Sequence, residues 1–537
     1  MAIGFPFKGK AAVVQLPALI TSGDLLPGGG ALNGRRWAGQ QLLRSWAARA
    51  ASRPMALATS RPQSLQQLLP FLRDQGFSGD LKGLDLLDPE GVIPWGGLFL
   101  PDPSIGRWAL WRQPVGPSSF SLIGQIHTLS TPAALAHLEG LVTEPVQPWD
   151  ALICSSTAGR AVVEGVLGSR EQALAERTGG DPRRLQALRP QLPVIPLPLP
   201  DSAIEPTQLS QQAARAALEL PADAAVVLWL GRLSVYTKLD PWPSYALLER
   251  VARQLNLTLV LLECGPDDQP SQHQALETLR QCCPNVQFHR LGGAEPVSEE
   301  IKRQALAAAD LALSLVDNTQ ETFGLAVAEA MAAGLPVVAS NWNGYRDLVR
   351  HGIDGYLVPS RWASAAESLS ARLGWQQFSG IESFSAVAGA LAQLVQLDGE
   401  AAEKALLALL ESATLRRAMG RSGAARAREL FAQNVVMDQY EALFAELEQR
   451  RQAAPPEASR AGRYPVSLDP VRAFRAYPSH PSQPLTTAKG ADDLLEVLPE
   501  GLCEARAHLW RLLDESTPPS FKGDLRADLM RKHTLMP

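Results

Sequence analysis

The second half of this chain alternates short apolar runs with stretches of helical periodicity, a pattern that few architectures accept. AAVVLWLGRLS, LTLVLLECG, VQFHRLGG, LALSLV and LPVVAS read as strands with patterned helices between them. Strands alternating with helices build parallel sheets whose faces the helices cover. The first half repeats the pattern less regularly. There AAVVQLPAL, PMALATS, FSLIGQIHTLS and WDALICSS read as strands, and GRRWAGQQLLRSWAARAA as a helix among them. A chain of 537 residues is too long for one hydrophobic core. Each half is therefore expected to be a doubly wound α/β domain, which binds ligands beyond the carboxyl ends of its strands.

The stretch QLPVIPLPLPD at 191–201 carries too many prolines to be a central strand throughout. Read as a strand end entering a linker, it divides the chain into domains at 1–202 and 203–434. An insertion rich in Trp, Ser and Ala is expected near 361–400, and a long helix at 435–452. Residues 453–537 read as a Pro-rich extension containing one helix-forming stretch, ADDLLEVLPEGLCEARAHLWRLLDE.

Composition removes several classes of function. With 20% charged and 46% hydrophobic residues the balance is that of a soluble globular protein, and a net charge of −5 offers no overall basic field to recruit nucleic acid. The five cysteines form no CxxC pair and lack the histidine spacing of a zinc site, so they read as reduced thiols. MAIGFPFKGKAAVVQLPALI is interrupted by Gln15 and Pro17, which makes a poor signal peptide and falls short of a membrane span. A cytoplasmic protein without transmembrane helices is expected.

The stretch QETFGLAVAEAMAAGLPVVAS, residues 320–340, sets Glu321 before an expected helix and Glu329 on its wall. Thr322 is a fitting cap for a helix starting near Phe323, and Gly334 with Pro336 for its stop. The amides around Phe323, Gly324 and Leu325 would then face outward at a helix beginning, which attracts phosphate. Glu321 suits a hydroxylated group joined to that phosphate. Glu329, about 12 Å along the axis, suits another diol. A sugar, a diphosphate and a ribose in sequence meet these demands. On its own the spacing equally fits a surface helix whose acids favour the macrodipole. LGRLSVYTK adds Arg232 and Lys238 just after a strand, where fixed cations can stabilise a departing diphosphate. Alone, these too would read as ordinary loop charges.

Together GRLSVYTK, QETFGLAVAEAMAAGLPVVAS, HGIDGYLVP and EALFAELEQ, spanning roughly 224 to 452, resemble the retaining glycosyltransferases of family 4. That resemblance implies the GT-B fold, two Rossmann-like doubly wound domains facing across a cleft, here with an extra C-terminal tail. It also implies roles: Glu321 on the donor sugar, Glu329 on the ribose, Arg232 and Lys238 on the diphosphate. GQIHTLST resembles the strand that ends in a donor-lining histidine, which makes His127 a further candidate. LLPGGGALNG resembles the glycine-rich first loop, giving Gly29 and Gly30. Three departures stand out. Arg232 and Lys238 are one residue further apart than is usual, NWNGYRDLV replaces a Gly-Gly followed by Pro-Glu, and VIPLPLPD lacks the usual Asn-Gly.

The implied reaction moves a glycosyl unit from a nucleotide-sugar donor, bound as substrate rather than cofactor, to an unidentified acceptor with retention of configuration. The leaving diphosphate would take the acceptor's proton. No Asp-x-Asp triplet occurs in the sequence, and Arg232, Lys238 and the helix beginning are expected to do the work of a metal. Peripheral contact with a membrane stays open for a lipid acceptor, although no basic amphipathic helix near the N-terminus demands it. A nucleotide-sugar epimerase, a glycoside phosphorylase and a non-catalytic scaffold are the alternatives.

Overall fold

Two parallel sheets, one from each half of the chain, carry the structure. It is a computed structural model describing residues 15–477 apart from 22–33, 60–64, 66, 206–208, 268–271 and 294–296. Gly29, Gly30 and the helix-forming stretch beyond 490 lie outside the described residues.

The first sheet contains β1 (Ala18–Ile20), β2 (Met55–Thr59), β3 (Leu81–Asp85), β4 (Gly97–Leu100), β5 (Ser121–Gln125) and β6 (Ala151–Ile153), ordered β3-β2-β1-β4-β5-β6. The second contains β7 (Ala225–Leu230), β8 (Leu259–Cys264), β9 (Val286–Leu291), β10 (Leu311–Ser314), β11 (Val337–Ser340) and β12 (Gly355–Val358), ordered β12-β11-β10-β7-β8-β9. All neighbouring strands in both sheets are parallel. Each sheet starts in its middle, grows to one edge, then returns and grows to the other. This is the Rossmann-like winding, and it leaves a crevice at the reversal between β1 and β4 and between β7 and β10. Strands such as β8, buried along their whole length, take apolar side chains on both faces, which explains the run LVLL; the one charge that follows, Glu263, is buried with Tyr245 and Arg280 as partners.

The first sheet separates two cores. One of them is completed by the helix Gln433–Gln452, which follows the second lobe in sequence. Its Val436, Met437, Tyr440 and Phe444 pack with Leu19, Trp46 and Phe99. The Trp46 ring meets Phe99 edge-on at 4.9 Å, and Gln125 Nε2 donates to the Tyr440 hydroxyl at 3.0 Å. Where the chain crosses between lobes, Leu199 N donates to Phe431 O at 2.7 Å, and Leu199 pairs with Ala432 as an isolated parallel bridge. After the helix the chain lies along the first lobe, with Gly462 N donating to Gln113 O at 2.7 Å. Residues from Tyr464 onward form a separate unit, described here only by a short helical turn, Val466–Leu468, and the helix Pro470–Ala473.

Between β12 and the helix Gly399–Glu411 the chain makes an antiparallel pair, β13 (Ser360–Trp362) with β14 (Val395–Leu397), enclosing the helices Ala366–Phe378 and Phe384–Ala392. Among the described residues no helix is long and apolar enough to cross a membrane.

Two buried polar features bear on stability. Arg112 and Asp150 are fully buried, joined by bonds of 2.7 and 2.8 Å, while Asp150 also accepts from Leu122 N and Gln147 N. Asp317, just beyond β10, is 4% exposed. Burial, reinforced by the charge of Asp240, pushes its pKa up to about 7 against the weak donation of the Asp240 amide.

Arg112→Met strands the Asp150 carboxylate and should destabilise the protein by about 3–5 kcal/mol, measured by denaturant unfolding. Folding raises the Asp317 pKa, so the native state binds that proton more tightly than the unfolded chain. The stability it contributes is present at low pH and is lost as pH rises from about 4 to about 7. Asp317→Asn should therefore stabilise by roughly 1–3 kcal/mol at pH 8 and change little at pH 4.5, read from melting curves at the two pH values.

Candidate functional site

The carboxyl ends of the two sheets enclose a cavity of about 590 Å³ lined from both lobes. Arg232, Lys238, Glu321, Glu329 and His127 all line it, with Phe323, Gly324 and Leu325. The structure thus brings together, in one cleft, every described residue singled out from the sequence.

Each cation and acid has a structural reason for its place. β7 ends at Leu230, and the loop that follows carries Arg232 and Lys238. Lys238 Nζ donates to Glu321 Oε2 at 2.7 Å, so the lysine reaches across the reversal between β7 and β10. Burial works against its ammonium, but the Glu321 carboxylate outweighs that loss even with Arg232 opposing, and the pKa is held above the ordinary lysine range. Burial likewise works against ionised Glu321. The charge and hydrogen bond of Lys238, with donation from the Thr322 and Phe323 amides, win and hold it below the usual carboxylate range.

Glu329 stands on the helix Leu325–Ala332 and meets a different lysine. Lys302 Nζ lies 2.8 Å from Glu329 Oε1 and 3.0 Å from Glu299 Oε2. Here burial prevails: the Glu329 pKa is raised, with Glu299 adding to the effect and Lys302 opposing it. Two carboxylates on one short segment are therefore pushed in opposite directions by their surroundings.

The helix beginning differs from its sequence reading. The helix starts at Leu325 with Gly324 as its capping residue and no side-chain cap, so Thr322 does not cap it. The Thr322 peptide is committed elsewhere, its N–H to Glu321 Oε1 at 3.3 Å and its carbonyl to Ser156 Oγ at 2.6 Å. Phe323 precedes the helix and buries its ring edge-on against Phe431 at 5.6 Å. Gly324 has φ of 105°, and a Cβ there would meet the Tyr345 ring at 2.3 Å. Only glycine serves, on both backbone and space grounds.

The first lobe supplies His127, Thr128 and Thr131 beyond β5, Asp102 beyond β4, and His137. Burial, helped by the Arg107 charge, lowers the His137 pKa against the pull of Asp102, which favours a neutral imidazole. Ser156 Oγ bonds the second lobe as described, and Thr157 donates from N and Oγ1 to the two oxygens of Asp347, both at 2.6 Å. The inserted helices also buttress the cleft. Asn318 Nδ2 donates to Tyr236 O at 2.8 Å, Gly389 packs against Tyr236, and Gln377 Nε2 donates to Ser130 O at 2.8 Å.

Sequence reasoning missed Lys302, Trp37, Asp102 and His137. Lys302 follows Glu299 by three positions on an amphipathic helix, the pattern of an ordinary surface pair, and nothing local marks it as part of a cleft.

Residues 224–373 match the family described as "Glycosyl transferases group 1". A D-inositol 3-phosphate glycosyltransferase of Nocardioides sp. (strain JS614) is 36% identical over 171 residues, which is 28% of this chain and 35% of that protein. The protein of the same name from Xylanimonas cellulosilytica is 28% identical over 304 residues, 54% of this chain and 67% of the relative. The chain thus spans between about a third and two thirds of these relatives' length. Among solved structures, sucrose-phosphate synthase from Thermosynechococcus elongatus is 19% identical with a TM-score of 0.49, covering 81% of this chain and 100% of its own. Anabaena HepE in complex with UDP is 16% identical with a TM-score of 0.48, covering 81% and 100%. The similarity in sequence is thus to group 1 glycosyl transferases, and it lies on the lobe that carries Arg232, Lys238, Glu321 and Glu329.

Proposed function

We propose that this protein is a retaining, metal-independent glycosyltransferase that uses a nucleotide-sugar donor. The observation that carries the reading is the pair of glutamates, each matched by a lysine, in one cavity with Arg232 and the backbone of Phe323 to Leu325. The match of residues 224–373 to group 1 glycosyl transferases supports it.

In this reading Glu321 accepts from hydroxyls of the donor sugar and Glu329 from the ribose. Arg232, Lys238 and the amides at 324 and 325 face the diphosphate. The bond from the anomeric carbon to the diphosphate oxygen breaks while a bond to an acceptor oxygen forms on the same face. The acceptor's proton passes to the departing diphosphate, whose growing negative charge the two cations offset. The acceptor approaches from the first lobe, past His127, Thr131 and Asp102. Curated relatives are named for an inositol phosphate acceptor, and a phosphorylated or neutral polyol is the first class to assay. A cytoplasmic location belongs to the same proposal.

A thermal-shift screen of UDP, GDP and ADP should identify one that stabilises the protein, by about 2.7 kcal/mol at a hundredfold excess over Kd. Glu321→Ala and Lys238→Ala should each lower kcat/KM by roughly 30- to 1,000-fold with the fold retained, since each removes a charged partner of the transition state. Near-normal turnover in both variants would defeat the site assignment. A chelator should leave turnover unchanged. Interconversion of a nucleotide sugar without acceptor would point instead to an epimerase, and dependence on free phosphate to a phosphorylase.

A further inference from the structure

Lys302 belongs to none of the recognisable motifs, yet in the second lobe's half of the cleft it is held by two carboxylates and a ring at once. It lies on the helix Glu299–Ala308 with its side chain 16% exposed. Its ammonium bridges Glu329 Oε1 at 2.8 Å and Glu299 Oε2 at 3.0 Å, and it sits over the Trp37 ring at 5.4 Å from the centroid. Trp37 comes from the first lobe's helix Gly34–Ala50 and packs against the core of the second. All four side chains line the cavity.

We infer that Lys302 is a positioning residue of the donor site: it fixes Glu329 by one carboxylate oxygen and leaves the other to accept from the ribose, with Trp37 holding the lysine in place from the opposite lobe. This rests on the reading of the cleft as a nucleotide-sugar site. The geometry demands such a device. Glu329 is 8% exposed, and a carboxylate that dry either finds a cation or takes up a proton. A protonated Glu329 would present a donor as well as an acceptor, and its preference for ribose hydroxyls would weaken. The charged and titratable groups around it are Lys302 and Glu299, both on the helix Glu299–Ala308, and the Cys264 thiol at the end of β8. Burial pushes the Cys264 thiol up to about 12, so it stays neutral and cannot replace Lys302. Glu299 repels the charge on Glu329, which leaves Lys302 to oppose both that repulsion and burial. The cation–π contact adds orientation, and it exists only while the lobes are together.

Calorimetric titration of the full chain tests this. UDP, GDP and ADP are titrated first, and the tightest is compared with its 2′,3′-dideoxy analogue at pH 6, 7 and 8. Wild type should prefer the ribonucleotide by about tenfold or more at all three pH values, as expected for charge-assisted hydrogen bonds. In Lys302→Met the Glu329 carboxyl loses its opposing cation, so ribonucleotide affinity should fall as pH drops from 8 to 6, by about tenfold overall, and the preference over the dideoxy analogue should shrink toward unity at pH 6. Lys302→Arg should restore most of both. Trp37→Ala should weaken binding by about threefold without adding the pH dependence. Should Lys302→Met fail to fold, Lys302→Gln removes the charge while keeping a hydrogen-bond donor and gives the same pH readout. A Lys302 variant with wild-type affinity, pH profile and sugar preference overturns the inference alone. A wild type that binds none of the three nucleotides overturns the proposed function, and the inference with it.

Discussion

A carboxylate withdrawn from water keeps its charge only if something nearby compensates for the lost hydration. The cleft solves this problem twice, with Lys238 against Glu321 and Lys302 against Glu329. Each pair joins separate elements of the second lobe, so each requires the second sheet to be wound as it is, with β7 beside β10 and the helix Glu299–Ala308 packed on β7 and β8. The cleft is therefore a charge-balanced surface before any ligand arrives. The carboxylates are already anchored, which spares any ligand that meets them the ordering that would otherwise weaken binding.

Much of this was legible in the sequence because the chemistry sits at strand ends. The central strands of the second lobe, β7, β8, β10 and β11, were readable since they are largely apolar, and Arg232 follows β7 within two residues. The strands less visible were β3, β4 and β12. LKGLD is exposed at most of its positions and lies at a sheet edge, and GYLV is a short edge strand, so neither announces itself by composition. The helix beginning at 325 was misread by two residues because local capping rules favoured Thr322, whereas its N–H goes to the neighbouring Glu321 carboxylate and its carbonyl accepts from Ser156 of the other lobe. Lys302 and Trp37 were invisible for a related reason: their roles are set by partners far along the chain.

The departures of NWNGYRDLV from the family pattern find structural uses. Tyr345 packs its ring on Gly324 and shares a hydrogen bond of 2.9 Å with Ser314 Oγ. Asp347 receives two bonds from Thr157 at the start of the long helix Thr157–Thr178, where a carboxylate is also favoured by the helix dipole. The loop between β11 and β12 thereby ties the backbone at Gly324 to the first lobe.

One feature of the chain path governs how the lobes can separate. The two polypeptide crossings, at Leu199 and at Phe431–Ala432, run side by side and are bonded to each other. Two tethers fastened together resist sliding and stretching far more than twisting, so opening is confined to rotation about one axis, like a book along its spine. A rotation of that kind would have to part contacts made across the cleft, such as Gln377 Nε2 to Ser130 O, and could leave the Leu199–Phe431 bond whole.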